Sequence, residues 1–451
     1  MRNLFLISLA LSTFSLFAQT NCVFVENQTS SNIASDGEST YGTKLGDLDG
    51  DGDLDAVTIH SHDFIQVKIN DGTGVFGEAD YVYSGGEYFR LELADVDDDN
   101  DLDIVALSFG ADGNTDIWKN DGTGQFSLFQ NVSSGIYANH SKLADLDGDG
   151  DLDLFQTARI DQFDQLIFKN DGNGTFTLFS TITPNTYSKA GVALADFDGD
   201  GDIDAVMSSA SSTSDNEYWT NDGNGNFTYV ASYHDTLGSG YYGIDHGDFD
   251  NDGDEDFVVL AQYTGLQIYL NDGAGNFTYS GMFGGAFYRN DVQVCDYNND
   301  GNDDIISVGS MVELLANDGN TQFDSCWADD NSFSYSFNSG DLDSDGFTDI
   351  YAGTSGTGSD RVFIQKPNST NISDISTSNN FTIFPNPATS IIKLENLPEN
   401  TKNIQILDVT GKMIVCHSER SEESVKLNVT ELQNGIYFIK AGNQVQKLIK
   451  E

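Results

Sequence analysis

Cations are scarce in this sequence: its 451 residues hold 20 Lys and Arg against 72 Asp and Glu, a formal charge of −52. That balance excludes nucleic acid as a partner, because binding phosphate needs clustered Lys and Arg. Cysteine is sparse too. Cys22, Cys295, Cys326 and Cys416 form no Cys-x-x-Cys or Cys/His cluster for zinc, and four thiols allow three pairings between which spacing does not choose. The six histidines make no HExxH pair. Long apolar runs are missing except for Leu4 to Phe17. That run is shorter than the ~20 residues of a bilayer span, follows Arg2 and ends near Ala18, so residues 1–18 read as a secretory signal peptide. No transmembrane segment is expected in the mature chain, which should be exported and soluble.

The acid is unevenly spread. From Phe381 to Glu451 eight Lys or Arg balance eight Asp or Glu, so the whole deficit lies upstream and a domain boundary falls between. NSTNISDISTSNN (368–380) reads as a polar linker, too poor in apolar residues to form a core. Upstream, 35 of the 72 acidic residues sit in seven nine-residue windows. These are DLDGDGDLD (47–55), DVDDDNDLD (95–103), DLDGDGDLD (145–153), DFDGDGDID (196–204), DFDNDGDED (248–256), DYNNDGNDD (296–304) and DLDSDGFTD (341–349). Their starts lie 48, 50, 51, 52, 48 and 45 residues apart, the spacing of a repeat architecture. Like charges roughly 5 Å apart repel by about 3 kcal/mol at an effective dielectric near 20. Such loops need a counter-charge.

A DxDxDGxxD loop offers carboxylates at positions 1, 3, 5 and 9 and a backbone carbonyl at position 7. Oxygen-only, flexible ligation of this kind suits Ca²⁺ better than Mg²⁺. The candidate ligands are Asp47, Asp49, Asp51, Asp53 and Asp55; Asp95, Asp97, Asp99, Asp101 and Asp103; Asp145, Asp147, Asp149, Asp151 and Asp153; Asp196, Asp198, Asp200, Asp202 and Asp204. The remaining three loops offer Asp248, Asp250, Asp252, Asp254 and Asp256; Asp296, Asn298, Asp300, Asn302 and Asp304; and Asp341, Asp343, Asp345, Phe347 and Asp349. Up to seven Ca²⁺ ions are expected, one per loop. Glycine at position 6 permits the sharp turn, and Asn100 replaces it in the second loop. An EF-hand is excluded, since position 12 is Thr58, Ala106, Gln156, Met207, Val259, Ser307 or Ala352 and never Glu.

A second pattern interleaves with the first: NDGTGVF from Asn70, NDGTGQF from Asn120, NDGNGTF from Asn170, NDGNGNF from Asn221, NDGAGNF from Asn271 and NDGNTQF from Asn317. Asn-Asp-Gly supplies the positive φ of tight hairpin turns. Between the markers run short stretches rich in Val, Ile and aromatics that read as strands, four per repeat. Four antiparallel strands in 40–50 residues make a propeller blade, so the fold expected is all-β, a seven-bladed β-propeller over 22–367. The last repeat lacks its fourth strand. NCVFVENQTS at the start of the mature chain should supply it, closing the ring, with Phe24 where Phe126 and Phe176 sit in their blades.

This repeat resembles the FG-GAP/VCBS family, the calcium-bearing blades of the integrin α-subunit propeller, and the resemblance covers roughly residues 22–367. It implies a seven-bladed propeller with Ca²⁺ in the loop joining the first and second strands. Glu255, Asp303 and Thr348 depart from the Leu or Ile at position 8 of the other loops.

Calcium loops and NDG turns should share one face. On the opposite face, six to nine residues before each loop, stand Tyr41; Tyr88 and Phe89; Tyr137; Tyr187; Tyr241 and Tyr242; Phe287 and Tyr288; Phe333 and Tyr335. They read either as wedges between inner strands or as a ring at the mouth of the channel that binds a glycan or a protein partner. Similar aromatics help seat the integrin β subunit. The leading expectation is an extracellular or cell-surface binding or adhesion module. The alternative is a polysaccharide lyase or hydrolase on a propeller scaffold, which the absence of any large insertion between repeats disfavours.

Residues 381–451 alternate strands with Thr-Gly and Asn-Gly turns and should form a small β-sandwich. They resemble the C-terminal sorting domain of the type IX secretion system, with Pro385-Asn386-Pro387, the Gly411-Lys412 turn, Gly435-Ile436-Tyr437 and Lys450 near the end, while HSERSEES (417–424) departs from its pattern. The resemblance implies the type IX machinery as a partner, and secretion or display on the outer cell surface.

Overall fold

The computed structural model describes residues 24–28, 39–366 and 381–450. Excepted are 61–63, 78–79, 84–86, 109–113, 136–137, 159–162, 187–188, 211–214, 235–242, 262–263, 286, 331–332 and 357–359, and in the second unit 396, 398–403, 408–412, 418–423, 431, 433 and 442–443. The signal peptide, the linker, Tyr137, Tyr187, Tyr241 and Tyr242 therefore lie outside the described residues. The chain divides into two compact units, Met1–Pro367 and Asn368–Glu451.

The first unit is a seven-bladed propeller. Six blades are four-stranded antiparallel sheets made of consecutive strands, the first being Thr40–Gly46, Asp55–His60, Phe64–Lys68 and Asp80–Tyr83. The seventh takes Ser334–Gly340, Asp349–Thr354 and Arg361–Gln365 and is completed by Phe24–Gln28 from the other end of the chain. Phe24 pairs with Gln365 as Phe126 pairs with Asn120. Joining the two termini in one sheet removes the exposed edges that an open ring would leave.

Burial within a blade follows strand order. The second strand is buried at every position in all seven blades. Both of its faces pack against neighbouring blades, which explains runs such as Ile104-Val105-Ala106-Leu107 in place of strict alternation. Fourth strands are mostly exposed, as in Phe126–Ser133. Seven apolar clusters each bridge two consecutive blades, from Val57, Ile59, Ile104 and Trp118 between blades 1 and 2 to Ala56, Tyr351 and Ile364 between blades 7 and 1. The first strands touch one another in a closed cycle and line the central channel.

The second unit is a pair of sheets. Thr382–Phe384, Ile391–Glu395 and Ser424–Asn428 form one, and Met413–His417, Ile404–Leu407, Gly435–Ala441 and Gln444–Lys450 the other. Ile392, Leu394, Ile406, Leu427, Ile439 and Leu448 fill the space between them. The Asn386 side chain donates to Lys447 O (2.7 Å) and accepts from Ile449 N–H (2.8 Å), fixing the Pro-Asn-Pro segment to the last strand.

Candidate functional site

Each acidic loop joins the first strand of its blade to the second and is coiled by its own side chains. Asp47 accepts the N–H of Gly50 (2.8 Å) on one oxygen and that of Gly52 (3.1 Å) on the other. Asp145 and Asp196 do the same. The coil needs left-handed backbone twice. Position 6 is one place, with φ of 95° at Gly52 and 71° at Asn100. Position 4 is the other, unnoticed in the sequence: Gly50 (76°), Asp98 (61°), Asn251 (60°) and Asn299 (58°) are of types that tolerate it, and Ser344 (57°) adopts it without that preference.

Position 9 is wholly buried in every loop. Asp55 accepts Leu48 N–H (3.0 Å) and Asn70 N–H (2.8 Å), tying the loop to the NDG turn of its blade. Burial pushes the carboxyls of Asp55, Asp103, Asp153 and Asp204 up to about 6 and those of Asp256, Asp304 and Asp349 up to about 7, with nearby loop carboxylates adding to the rise.

Oxygens of positions 1, 3 and 9 lie within 4.8 Å of one another in loops 1, 3, 4 and 5, as do those of Asp95, Asp97 and Asp99 in loop 2. At position 3, Oδ1 of Asp97, Asp250 and Asp343 and both amide atoms of Asn298 are buried without a hydrogen-bond partner. An orphaned buried oxygen is costly, and a hard cation supplies what it lacks. The residues thus fit a divalent ion with oxygen preference. Position 5 accepts the N–H of position 7, as Asp51 does from Asp53 (3.0 Å). The side chain at position 7 turns onto the NDG glycine: a Cβ on Gly72 would stand 2.3 Å from Asp53 Oδ2, and one on Gly273 2.5 Å from Asp254 Oδ2. In blade 7, which has no NDG turn, position 7 is Phe347.

Three loops carry an internal cation that sequence reading missed. Lys119 Nζ lies 2.6 Å from Asp97 Oδ2, Lys366 Nζ 2.6 Å from Asp343 Oδ2, and Lys169 pairs with Asp147. The equivalent residue is Ile69, Thr220, Leu270 or Ala316 in the other blades. The signal was legible as Lys before Asn-Asp-Gly in blades 2 and 3.

The NDG turns hold another surprise. Their positive φ falls on the glycines, such as Gly72 of Asn-Asp-Gly (74°) and Gly74 two residues on (74°). The asparagine acts instead as a staple between blades. Asn120 Nδ2 donates to Leu48 O of the preceding loop (2.8 Å) and to Leu102 O of its own (3.3 Å). Asn70, Asn170, Asn221, Asn271 and Asn317 likewise reach the preceding loop at 2.7–2.9 Å.

At the other end of the channel, one extra residue bulges from the inner strand at Tyr41, Phe89, Asn139, Asn290 and Tyr335. A bulge re-aims side chains. The preceding residue points inward and is buried: Thr40, Tyr88, Ala138, Arg289 and Ser334. Tyr88 is wholly buried with its hydroxyl on Asp116, which removes it from the candidate ligand-binding set. The half-buried rings meet across blades. Tyr41 lies 5.9 Å from Phe89 and stacks on Tyr335 at 4.9 Å; Phe333 contacts Tyr335 at 5.2 Å and stacks on Tyr288 at 5.5 Å. Among the described residues the expected ring is an arc of five aromatics over blades 2, 1, 7 and 6. Phe287 stands apart from it, under Arg289 at 3.8 Å.

Comparison with known proteins agrees with this geometry. A model of FG-GAP-like repeats matches residues 95–156, 164–207, 196–259 and 248–307, and a model of the secretion system C-terminal sorting domain matches 382–451. No curated protein matches in sequence. Two crystal structures of BBS1N in complex with ARL6DN, soaked with mercury and with lead, superpose with a TM-score of 0.55 at 10% and 11% identity. They cover 77% and 78% of this chain and 98% and 99% of their own. At that identity the likeness speaks for the fold alone. The chain carries four matched FG-GAP-like repeats on a propeller and a sorting domain that directs export by the type IX secretion system to the cell surface or the extracellular space.

Proposed function

We propose that this exported propeller, built of FG-GAP-like repeats ahead of a secretion sorting tail, is a calcium-stabilised binding module whose channel mouth engages an extracellular glycan or protein. The observation that carries this reading is the arc of Phe89, Tyr41, Tyr335, Phe333 and Tyr288, five half-buried rings in sequence over four blades. Rings needed only as wedges would be buried as Tyr88 is; partial exposure leaves faces for a ligand. Calcium is supported by the oxygen-only donor sets and by the orphaned oxygens at position 3. The ions would work as fasteners, on loops opposite to the mouth.

Glycan and extracellular-protein arrays, run with 1 mM Ca²⁺ and again with EDTA, test this. Ligands retained in calcium, lost on chelation through unfolding, and recovered unchanged support the module. New reducing ends or unsaturated sugars would replace it with an enzyme.

A further inference from the structure

We propose that the channel beneath the aromatic arc seats one neutral sugar ring of an extracellular glycan, an inference that rests on the binding-module reading of the same mouth. A polar cavity of about 140 Å³ lies inside the ring of first strands. Among its lining residues are Lys44, Arg90 and Lys142 and, facing them, Glu92, Asp245 and Asp291. Residues 22–367 contain only eleven Lys or Arg. Three of them on one cavity is a concentration that the repeat pattern does not demand.

The charges cancel. Lys44 Nζ is 2.8 Å from Glu92 Oε2, and Arg90 Nη1 reaches from blade 2 to Asp291 Oδ2 of blade 6 at 3.0 Å. Burial alone would disfavour the Lys142 ammonium, but Asp245, Glu92 and Asp291 outweigh it and raise its pKa. Burial, then Lys142, Arg90 and Lys44, hold His140 neutral. A charged ligand would break this balance of three against three; a neutral one would not. Two groups lack a partner. Arg90 Nε and His140 Nδ1 are buried without a hydrogen bond, and His140 is only 9% exposed. Turned into the cavity by a change of rotamer, either would be satisfied by a sugar hydroxyl, which both donates and accepts.

The mouth also argues against a cationic side chain from a protein. Arg90 already lies over Phe89 (5.4 Å) and Arg289 over Phe287 (3.8 Å), so the chain fills those cation sites itself. Tyr41 and Tyr335 stack on each other, 20° apart, so the apolar surface they leave to a pyranose is the exposed side of the pair and not a cleft between the rings.

Saturation-transfer NMR on the calcium-loaded full chain tests this with methyl glycosides of glucose, galactose, mannose and N-acetylglucosamine, beside methyl glucuronide and galacturonide at equal concentration. At least one neutral glycoside should show transfer, and more than either uronate. Tyr335→Leu keeps the apolar volume and should weaken that ligand at least tenfold with an unchanged melting midpoint, while Tyr279→Leu on the outer strand of blade 5 should not. Transfer from uronates only, transfer that survives Tyr335→Leu, or none at all would overturn the sugar seat. The wider reading falls separately, when Tyr335→Leu also fails to alter retention on the arrays.

Discussion

The two ends of this channel are written under different rules. At the loop end one nine-residue pattern is repeated seven times, and its departures are few: Asn100 stands for Gly and Asn298 for Asp, while Glu255, Asp303 and Thr348 replace Leu or Ile at position 8. At the mouth, structurally matching bulge positions hold Tyr41, Phe89, Asn139, Asn290 and Tyr335, and the channel-lining places below them mix Lys, Glu, His and Asp. Repetition serves what every blade must do, which is to coil, staple its neighbour and neutralise its charge. Irregularity is greatest where blades need not be equivalent, which is where the proposed binding module would meet its ligand.

The largest way to break the comparison is chelation. If ions hold the loops, EDTA should lower the calorimetric melting midpoint by roughly 10 °C or more, since each site at a hundredfold excess over its Kd contributes about 2.7 kcal/mol. Mouth variants such as Tyr335→Leu should shift by the same amount as the parent chain. A midpoint unmoved by EDTA would end the loop-as-fastener account.

A second test uses pH. The position-9 carboxyls sit at about 6 to 7 in the metal-free fold, above the value of 3.8 for a free side chain. The folded state therefore binds more protons than the unfolded one through this window, and metal-free stability should fall as pH rises from 4 to 7. The calcium-loaded chain should show the opposite slope, because protonation expels the ion. Denaturant midpoints at pH 5 and pH 7.5, with and without EDTA, should lie close together at pH 5 and far apart at pH 7.5, with the calcium-loaded chain the more stable throughout.

A smaller effect belongs to the staples. Asn170→Ala removes a buried donor to Val96 O at 2.8 Å and should cost about 2 kcal/mol in saturating calcium, read from urea unfolding. Gln365→Ala at the closing blade should cost less, since no asparagine bridge is formed from that position.

Much of the fold was legible because its determinants are local and repeated. Ligand spacing, NDG markers and strand length fixed the blade, and the missing fourth strand pointed to Phe24–Gln28. Less legible were features that depend on a residue in another blade. Asn120 looked like a turn residue and is an inter-blade staple; Tyr88 looked like a mouth residue and is turned inward by a bulge one position later. One residue of register separates Tyr88 from Phe89, and nothing in composition reveals on which side of the bulge each falls. The channel charges were invisible for a related reason: Arg90 and Asp291 lie 201 positions apart and meet only because the ring closes.

The finest distinction lies within the loop end itself. Blades 2, 3 and 7 bring a lysine to the position-3 carboxylate, and burial of Asp147 is more than offset by Lys169, which lowers its pKa. In blades 4 and 5 no such cation is present, and burial with the neighbouring Asp200 or Asp252 raises Asp198 and Asp250. A fixed ammonium takes part of the attraction that an arriving ion would otherwise receive, and it steadies the empty loop. Lys169→Met should therefore tighten calcium in loop 3 roughly tenfold, about 1.4 kcal/mol, while slightly lowering metal-free stability. Thr220→Lys should do the reverse in loop 4. Calorimetric titration of the two variants against the parent chain decides it: shifts of equal sign in both, or a Lys169→Met variant that binds calcium more weakly, would show that these lysines support the bound ion and do not compete with it.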